Sequence, residues 1–215
     1  MTTEQLKQKY GDEMVLTIPA SKVVCNKEAG PYYTNDDIDF CVKEDGIPML
    51  RWRVENDPSF RQLVVYALIR DTNGHVFSTF RKNGDERLVG KYSIGTGGHV
   101  QPDETFSDAL FRELKEEVDI TPDDMMSITR AGCILDQSSP VNSVHLGIVY
   151  VVCVNDPDSV RIAEPEKLGG AWIDENVLFE LYQTDGLESW SEMLAKQIME
   201  DKANEEEAMA SQQAN

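Results

Sequence analysis

The chain has 215 residues, enough for one domain of ordinary size with an extension and a sizeable buried core. Its 39 acidic residues against 20 basic ones give a net charge of −19, which argues against a long nucleic-acid backbone or an anionic membrane surface as partner. The longest apolar run, 148–154, is far short of the roughly 20 residues that a bilayer span needs. Lys7, Lys9, Asp12 and Glu13 interrupt any apolar secretory segment near the N-terminus, so a soluble, cytoplasmic protein is expected. Cys25, Cys41, Cys133 and Cys153 are widely spaced, form no Cys-x-x-Cys pair, and read as free, mostly buried thiols.

Residues 1–61 read as a mixed N-terminal extension. Met14–Ile18 has the pattern of a short strand, and the acidic stretch from Asp36 to Phe40 that of a short capped helix. The stretch from Arg51 to Pro58 is charged and carries one large aromatic. It reads either as a solvated connector with Trp52 packed on the domain, or as a segment whose Arg51 or Arg53 reaches a ligand or a second subunit. Gln62–Arg70 is a strand by its β-branched and aromatic content, Asp71-Thr-Asn-Gly74 a turn, and His75–Arg81 its hairpin partner. Arg81, Lys82, Arg87 and Lys91 then concentrate positive charge, either paired with Asp85 and Glu86 or facing an anionic ligand. The glycines from Gly95 to Gly98 form a turn that lets a ligand approach the backbone closely. His99 reads as a packed strand residue in preference to a ligand.

Thr105 and Asp108 form a capping box, so a helix starts there. Phe106, Leu110, Leu114 and Val118 recur every four residues and face a core. Glu113, Glu116 and Glu117 share a face along the edge of that apolar stripe, where three carboxylates repel one another and call for a divalent cation. Two further strands follow, Ile128–Leu135 and Val144–Val154. The second is apolar nearly throughout, which predicts helices on both faces of the sheet. A loop containing Glu164 and Glu166 leads to a last short strand at Trp172, and helices are expected over 175–183 and 187–200. From Asp201 onward the composition is that of a disordered or frayed tail.

The spacing Gly98-x5-Glu104-x7-Arg112-Glu113-Leu-x-Glu116-Glu117-x-x-Ile120 resembles the signature of the Nudix hydrolases, which carries one more glycine where this chain has Asp119. That position is expected to be left-handed, a conformation that Asp tolerates better than most residues. The likeness extends to Glu55-x-Asp57-Pro58, Gln62 and Glu86-Arg87-Leu88, which resemble a subset described as predicted phosphoesterases. It implies an α+β fold, a Nudix-like α/β/α sandwich with a mixed β-sheet over 62–185, between the extension 1–61 and a C-terminal helix and acidic tail over 186–215. The implied activity is metal-dependent hydrolysis of a nucleoside diphosphate linked to another group. Mg²⁺ or Mn²⁺ would be held by Glu113, Glu116, Glu117 and the Gly98 carbonyl. Arg112 would orient a box carboxylate with Glu104 in support, and Arg53, Arg81, Arg87 and Lys91 are the candidate cations for a small diphosphate substrate.

The general base is expected either in the box, with Glu113, or at Glu166, on a loop whose Gly169-Gly170 looks hinge-like. A homodimer with the extension packed on the core is also expected. Two rivals share the fold. A non-catalytic nucleotide sensor would have no need of the full carboxylate set, and an isoprenyl diphosphate isomerase would need a reactive cysteine, which the sequence does not place near the motif.

Overall fold

A computed structural model describes residues 1–23, 32–33, 38–82 and 90–213. Its centre follows from the two most apolar stretches of the chain. Strands β4 (Phe60–Arg70) and β9 (His145–Val154) are buried at most positions and run parallel, in register from Gln62↔His145 to Arg70↔Cys153. Strands without a solvent face need cover on both sides. On one side lies α4 (Phe106–Val118), which packs Leu110, Leu114 and Val118 against Leu63, Val65, Ala67 and Ile69 of β4. On the other lie α5 (Glu175–Gln183) and α6 (Ser189–Gln213), whose Leu178, Trp190 and Leu194 meet Val64, Tyr66 and Leu68. The alternation of β4 residues between two cores is the two-residue period of a strand made visible.

Ten strands among the described residues form one mixed sheet. β8 (Met125–Ile134) pairs antiparallel with β9, and β10 (Leu168–Ile173) with β5 (Val76–Arg81). The short β2 (Tyr32–Tyr33) extends β8. The observed layers are those of the expected α+β sandwich, with helices on both faces.

Two local expectations are corrected. β5 is not a full hairpin partner of β4, because the two strands meet only at Arg70↔Val76. The Asp71 carboxylate closes the turn by accepting from the backbone N–H of Asn73 and His75, each at 2.8 Å, and the chain then diverges. The rest of that edge is taken by β7 (Gly95–His99), so the glycine stretch is a strand and not a turn. Its glycines are required by close approach. A Cβ at Gly95 would lie 2.2 Å from the Tyr66 ring, and one at Gly97 would lie 1.9 Å from the Val65 carbonyl oxygen. Next to it, β6 (Tyr92–Ser93) pairs with β5.

The N-terminal residues join the same sheet. β1 (Met14–Pro19) pairs antiparallel with β4 at Thr17↔Gln62 and with β3 (Ile47–Leu50) at Met14↔Leu50. A helix that the sequence reading did not anticipate, α1 (Thr3–Tyr10), begins with a complete Thr2–Gln5 capping box. The caps expected for α2 (Ile38–Asp45) lie outside the described residues. The charged connector forms a single helical turn, α3 (Arg51–Val54). At the other end α6 runs on through Gln213 instead of fraying at Asp201. Its outer half is exposed but rich in Ala, Glu and Gln, good helix formers. It also carries the i,i+4 pairs Lys196–Glu200 and Lys202–Glu206, and Lys202 bonds Glu175 of α5.

Gly97 combines φ +157 with an immovable neighbour, the Val65 backbone. Gly97→Ala is therefore expected to cost about 2–4 kcal/mol, read as a lower urea midpoint. Gly11→Ala, at φ +52 with nothing nearby, should cost only about 1 kcal/mol.

Candidate active site

The acidic helix is fixed at both ends. Thr105 and Asp108 cap α4 reciprocally, and Asp119 ends it in the left-handed region at φ 57. With Leu110, Leu114 and Val118 buried, the carboxylates of Glu113 and Glu117 come to lie at the core margin toward β7. Gly98 makes room for one of them: a Cβ there would lie 2.3 Å from Glu113 Oε1. Glu113 is thus only 12% exposed, against 60% for Glu116.

Arg112 makes this burial tolerable. Its Nε and Nη2 donate to the two oxygens of Glu104 at 2.6 and 2.8 Å, a bidentate pair. Nη1 donates to Glu113 at 2.6 Å and, more weakly, to Glu116 at 3.4 Å, while Nη2 also reaches the His99 carbonyl at 2.9 Å. The Arg112 guanidinium holds Glu104 below the usual carboxylate range. Burial pushes Glu113 up, opposed by Arg112 and reinforced by Glu117 and Glu116. On the opposite side the Thr96 hydroxyl of β7 donates to Glu117.

Glu117 lies between two cavities. A cleft of about 620 Å³ is lined by Glu113, Glu117, Gly97, Gly98, Arg112 and Arg51, among others. A smaller one of about 200 Å³ shares Gly97 and Glu117 and is lined by Arg81, Lys91, Phe80 and Glu188. At the cleft wall His99 packs edge-on to His145, with their Nε2 atoms 3.2 Å apart. The His145 Nδ1 lies 2.7 Å from the Val141 carbonyl and must donate to it, so a neutral His145 accepts at Nε2 from His99. Burial lowers the pKa of both rings, with Arg51 adding to the effect.

All donors at the α4 face are oxygens, a set that suits a hard divalent cation. Among the described residues no three His, Cys, Asp or Glu side chains converge on one point. Glu113 is bonded to Arg112 and Glu117 to Thr96. The structure brings Gly98, Arg112, Glu113 and Glu117 to one cleft, with Glu104 bonded behind Arg112 and the exposed Glu116 outside the cleft lining.

The other candidates are scattered. Arg53 is exposed, stacks on Trp52 and lines neither cavity; its neighbour Arg51 lines the cleft. Arg81 and Lys91 line the smaller cavity, with Lys91 paired to Asp185 at 3.0 Å. Arg87 lies outside the described residues. Glu166 is exposed on the turn before β10 and lines neither cavity. The segment before that turn is tied to the last turn of α4 by bonds from Arg161 and Ala163 to the carbonyls of Val118 and Glu117, each 3.0 Å. Gly169 and Gly170 are not a hinge. They pair with Phe80 and Thr79 inside the sheet, and Phe80 and Phe77 fill the space where side chains would stand. Sequence reasoning missed Thr96, which no signal singles out in a glycine run. It also missed Glu188, which accepts from Tyr66 at 2.6 Å and from the backbone N–H groups of Trp190 and Ser191 at the start of α6.

Residues 60–193 match the family described as the NUDIX domain. Over 198 residues the chain is 30% identical to protein YmaB of Bacillus subtilis strain 168, covering 85% of this chain and 96% of that protein. Among solved structures, that of Tm1382 superposes with a TM-score of 0.66 at 24% identity, over 87% of this chain and 99% of the other. DR0079 from Deinococcus radiodurans gives 0.51 at 21% identity, over 77% and 96%. The NUDIX domain of Shewanella oneidensis NrtR, solved with ADP ribose, gives 0.52 at 16% identity, over 66% and 88%. At these identities the structural likenesses speak to the fold.

The Glu104–Arg112 pair makes a stability prediction. A carboxylate whose folded pKa is depressed contributes stability above its unfolded pKa and loses it as pH falls through the folded value. Glu104→Gln should therefore destabilise by about 1–3 kcal/mol at pH 7. That deficit should shrink toward zero as acid protonates Glu104 in the parent, read from urea midpoints across the pH series.

Proposed function

The chain belongs to the NUDIX family of diphosphate hydrolases, and we propose that it is a Mg²⁺- or Mn²⁺-dependent enzyme that cleaves the diphosphate of a small nucleoside diphosphate derivative. The observation that carries this reading is the arrangement of Glu113, Glu116 and Glu117 on one face of α4, with Glu113 lying against the Gly98 backbone. Glu113, Glu116, Glu117 and the Gly98 carbonyl would hold the cation, which supplies the charge that neutralises a diphosphate and makes water a nucleophile at neutral pH.

The chain's own groups do the rest. Arg112, locked by Glu104, orients Glu113 and does not touch substrate. Thr96 positions Glu117. Gly97 and Gly98 leave the backbone open to phosphate oxygens, and Arg81 and Lys91 face the neighbouring cavity as phosphate contacts, with Arg87 a further candidate. The place of Glu166 outside both cavities favours a box carboxylate, Glu113 foremost, as the proton acceptor.

The rivals lose ground on particular residues. Neither Cys133 nor Cys153 lines either of these two cavities, which weighs against an isomerase needing a thiol. A sensor that binds without hydrolysis would have no use for Arg112 and Glu104 holding a buried carboxylate in place. Dimerisation is supported by the edge strand β3, which pairs only with β1 among the described residues and exposes Ile47 at one end of that ladder, with Met14 exposed at the other. Light scattering should give twice the chain mass at micromolar concentration, and a monomer mass refutes the dimer.

The decisive assay screens nucleoside diphosphate derivatives for released phosphate products, with and without Mg²⁺ or Mn²⁺. Glu116→Gln and Glu117→Gln should lower kcat by roughly 10²- to 10³-fold with folding retained. Either variant turning over at the parent rate in saturating Mg²⁺ refutes the metal assignment. Glu166→Gln should leave kcat within about threefold, and a loss of ~10² or more would instead identify Glu166 as the base.

A further inference from the structure

The N-terminal segment contributes a cation to the cleft that the carboxylate motif does not encode. Arg51, the first residue of α3, is held from several directions. Its Nη1 donates to Glu13 at 2.9 Å, its Nε approaches Glu55 at 3.4 Å, and its guanidinium lies 4.2 Å from the centre of the Tyr10 ring. Tyr10 in turn donates to Glu55 at 2.8 Å. No described residue hydrogen-bonds Nη2, so one edge of the guanidinium remains for a ligand.

The composition of the cleft makes that edge significant. Asp12, Glu13, Glu113 and Glu117 line it, and an anionic ligand entering such a space needs offsetting positive charge from the protein as well as from a cation. Among the described lining residues the permanent cations are Arg51 and Arg112. Arg112 is committed to Glu104, Glu113 and the His99 carbonyl. His99 has its Nε2 committed to His145 Nε2 at 3.2 Å. Arg51 is the remaining group able to offer N–H donors and charge together.

We propose that Arg51 is a substrate-binding residue, whose guanidinium grips phosphate oxygens on the far side of Glu117 from Arg81 and Lys91. The extension thereby completes the substrate site, a planar donor pair being well matched to a phosphate. Glu13 competes for the same guanidinium and sets its readiness. The proposal rests on the reading of the α4 face as a diphosphate site and adds the element that grips the diphosphate's second side.

The test measures KM and kcat for the best substrate of the panel, and calorimetric binding of inorganic pyrophosphate with Mg²⁺, in the parent and in Arg51→Met, Arg51→Lys and Glu13→Gln. Arg51→Met should raise KM and weaken pyrophosphate binding by ~10-fold or more, as expected for losing hydrogen bonds to a charged group, with kcat within about threefold. Arg51→Lys should recover part of the loss, and Glu13→Gln should lower KM. Unchanged KM and pyrophosphate affinity in Arg51→Met, with only the melting temperature reduced, would make Arg51 a clamp between α1 and α3 and overturn the proposal. If Arg51→Met does not fold, an unchanged KM in Glu13→Gln overturns it. Should the parent hydrolyse nothing in the panel, the proposed function falls while pyrophosphate binding still decides on Arg51, and a parent that does not bind pyrophosphate overturns the Arg51 proposal as well.

Discussion

Parallel pairing of β4 with β9 is the constraint from which the site follows. Two adjacent parallel strands cannot be joined by a hairpin, so the chain between them must cross a face of the sheet, and α4 is the helix that crosses. Because both strands are buried, α4 must present an apolar stripe, and its carboxylates are confined to the margin of that stripe. The register of β7 on β4 then decides what they meet. With Val65 opposite Gly98 and Tyr66 opposite Gly97, the backbone that lacks side chains falls beneath Glu113. A slip of one residue that brought His99 opposite Val65 would put a side chain there and close the space that Glu113 occupies.

A buried carboxylate beside two others is unfavourable unless a cation and hydrogen bonds offset it. Arg112 supplies both, but one guanidinium cannot neutralise Glu104, Glu113, Glu116 and Glu117. The cluster retains excess negative charge at the mouth of a cleft, and the same feature that makes it costly to the fold makes it suited to a divalent ion. Glu104 does not face the cleft as a ligand. It fixes the guanidinium from behind, so that Nη1 points at Glu113 instead of wandering into solvent.

Much of this was legible in the sequence, for definite reasons. The capping box, the four-residue apolar repeat and the left-handed Asp119 are local properties of α4, and each is set by neighbours within one or two turns. The long apolar strand at 145–154 revealed its two covered faces by having no polar alternation. What failed depended on partners distant in the chain. The sequence suggests a turn for the glycines of β7 and a hinge for those of β10, whereas here each makes room for a ring, a carbonyl or a carboxylate contributed by another strand or helix. Arg51 and Arg53 could not be told apart without knowing that α3 makes a single turn, which points one guanidinium to Glu13 and the cleft and the other to the Trp52 ring. The α6 tail was read by its polarity, and its helix rests on intrinsic propensity and i,i+4 pairs with no core at all.

The chain's overall charge sharpens the meaning of these positions. At −19, the protein repels a diphosphate at long range, and nothing in its net charge draws such a ligand in. Recognition has to be local, within the Debye length of about 8–10 Å at physiological salt. Arg81 and Lys91 line one of the two cavities that Glu117 borders, and Arg51 lines the other. The cations of the fold core and the cation of the N-terminal segment thus bracket the acidic face. A diphosphate placed between them would meet positive charge on both flanks, with the carboxylates of α4 beneath. In that arrangement the N-terminal strand and helices are more than packing for the sheet edge, because without α3 the larger cleft would keep only one of its two arginines, Arg112, which is committed to Glu104 and Glu113.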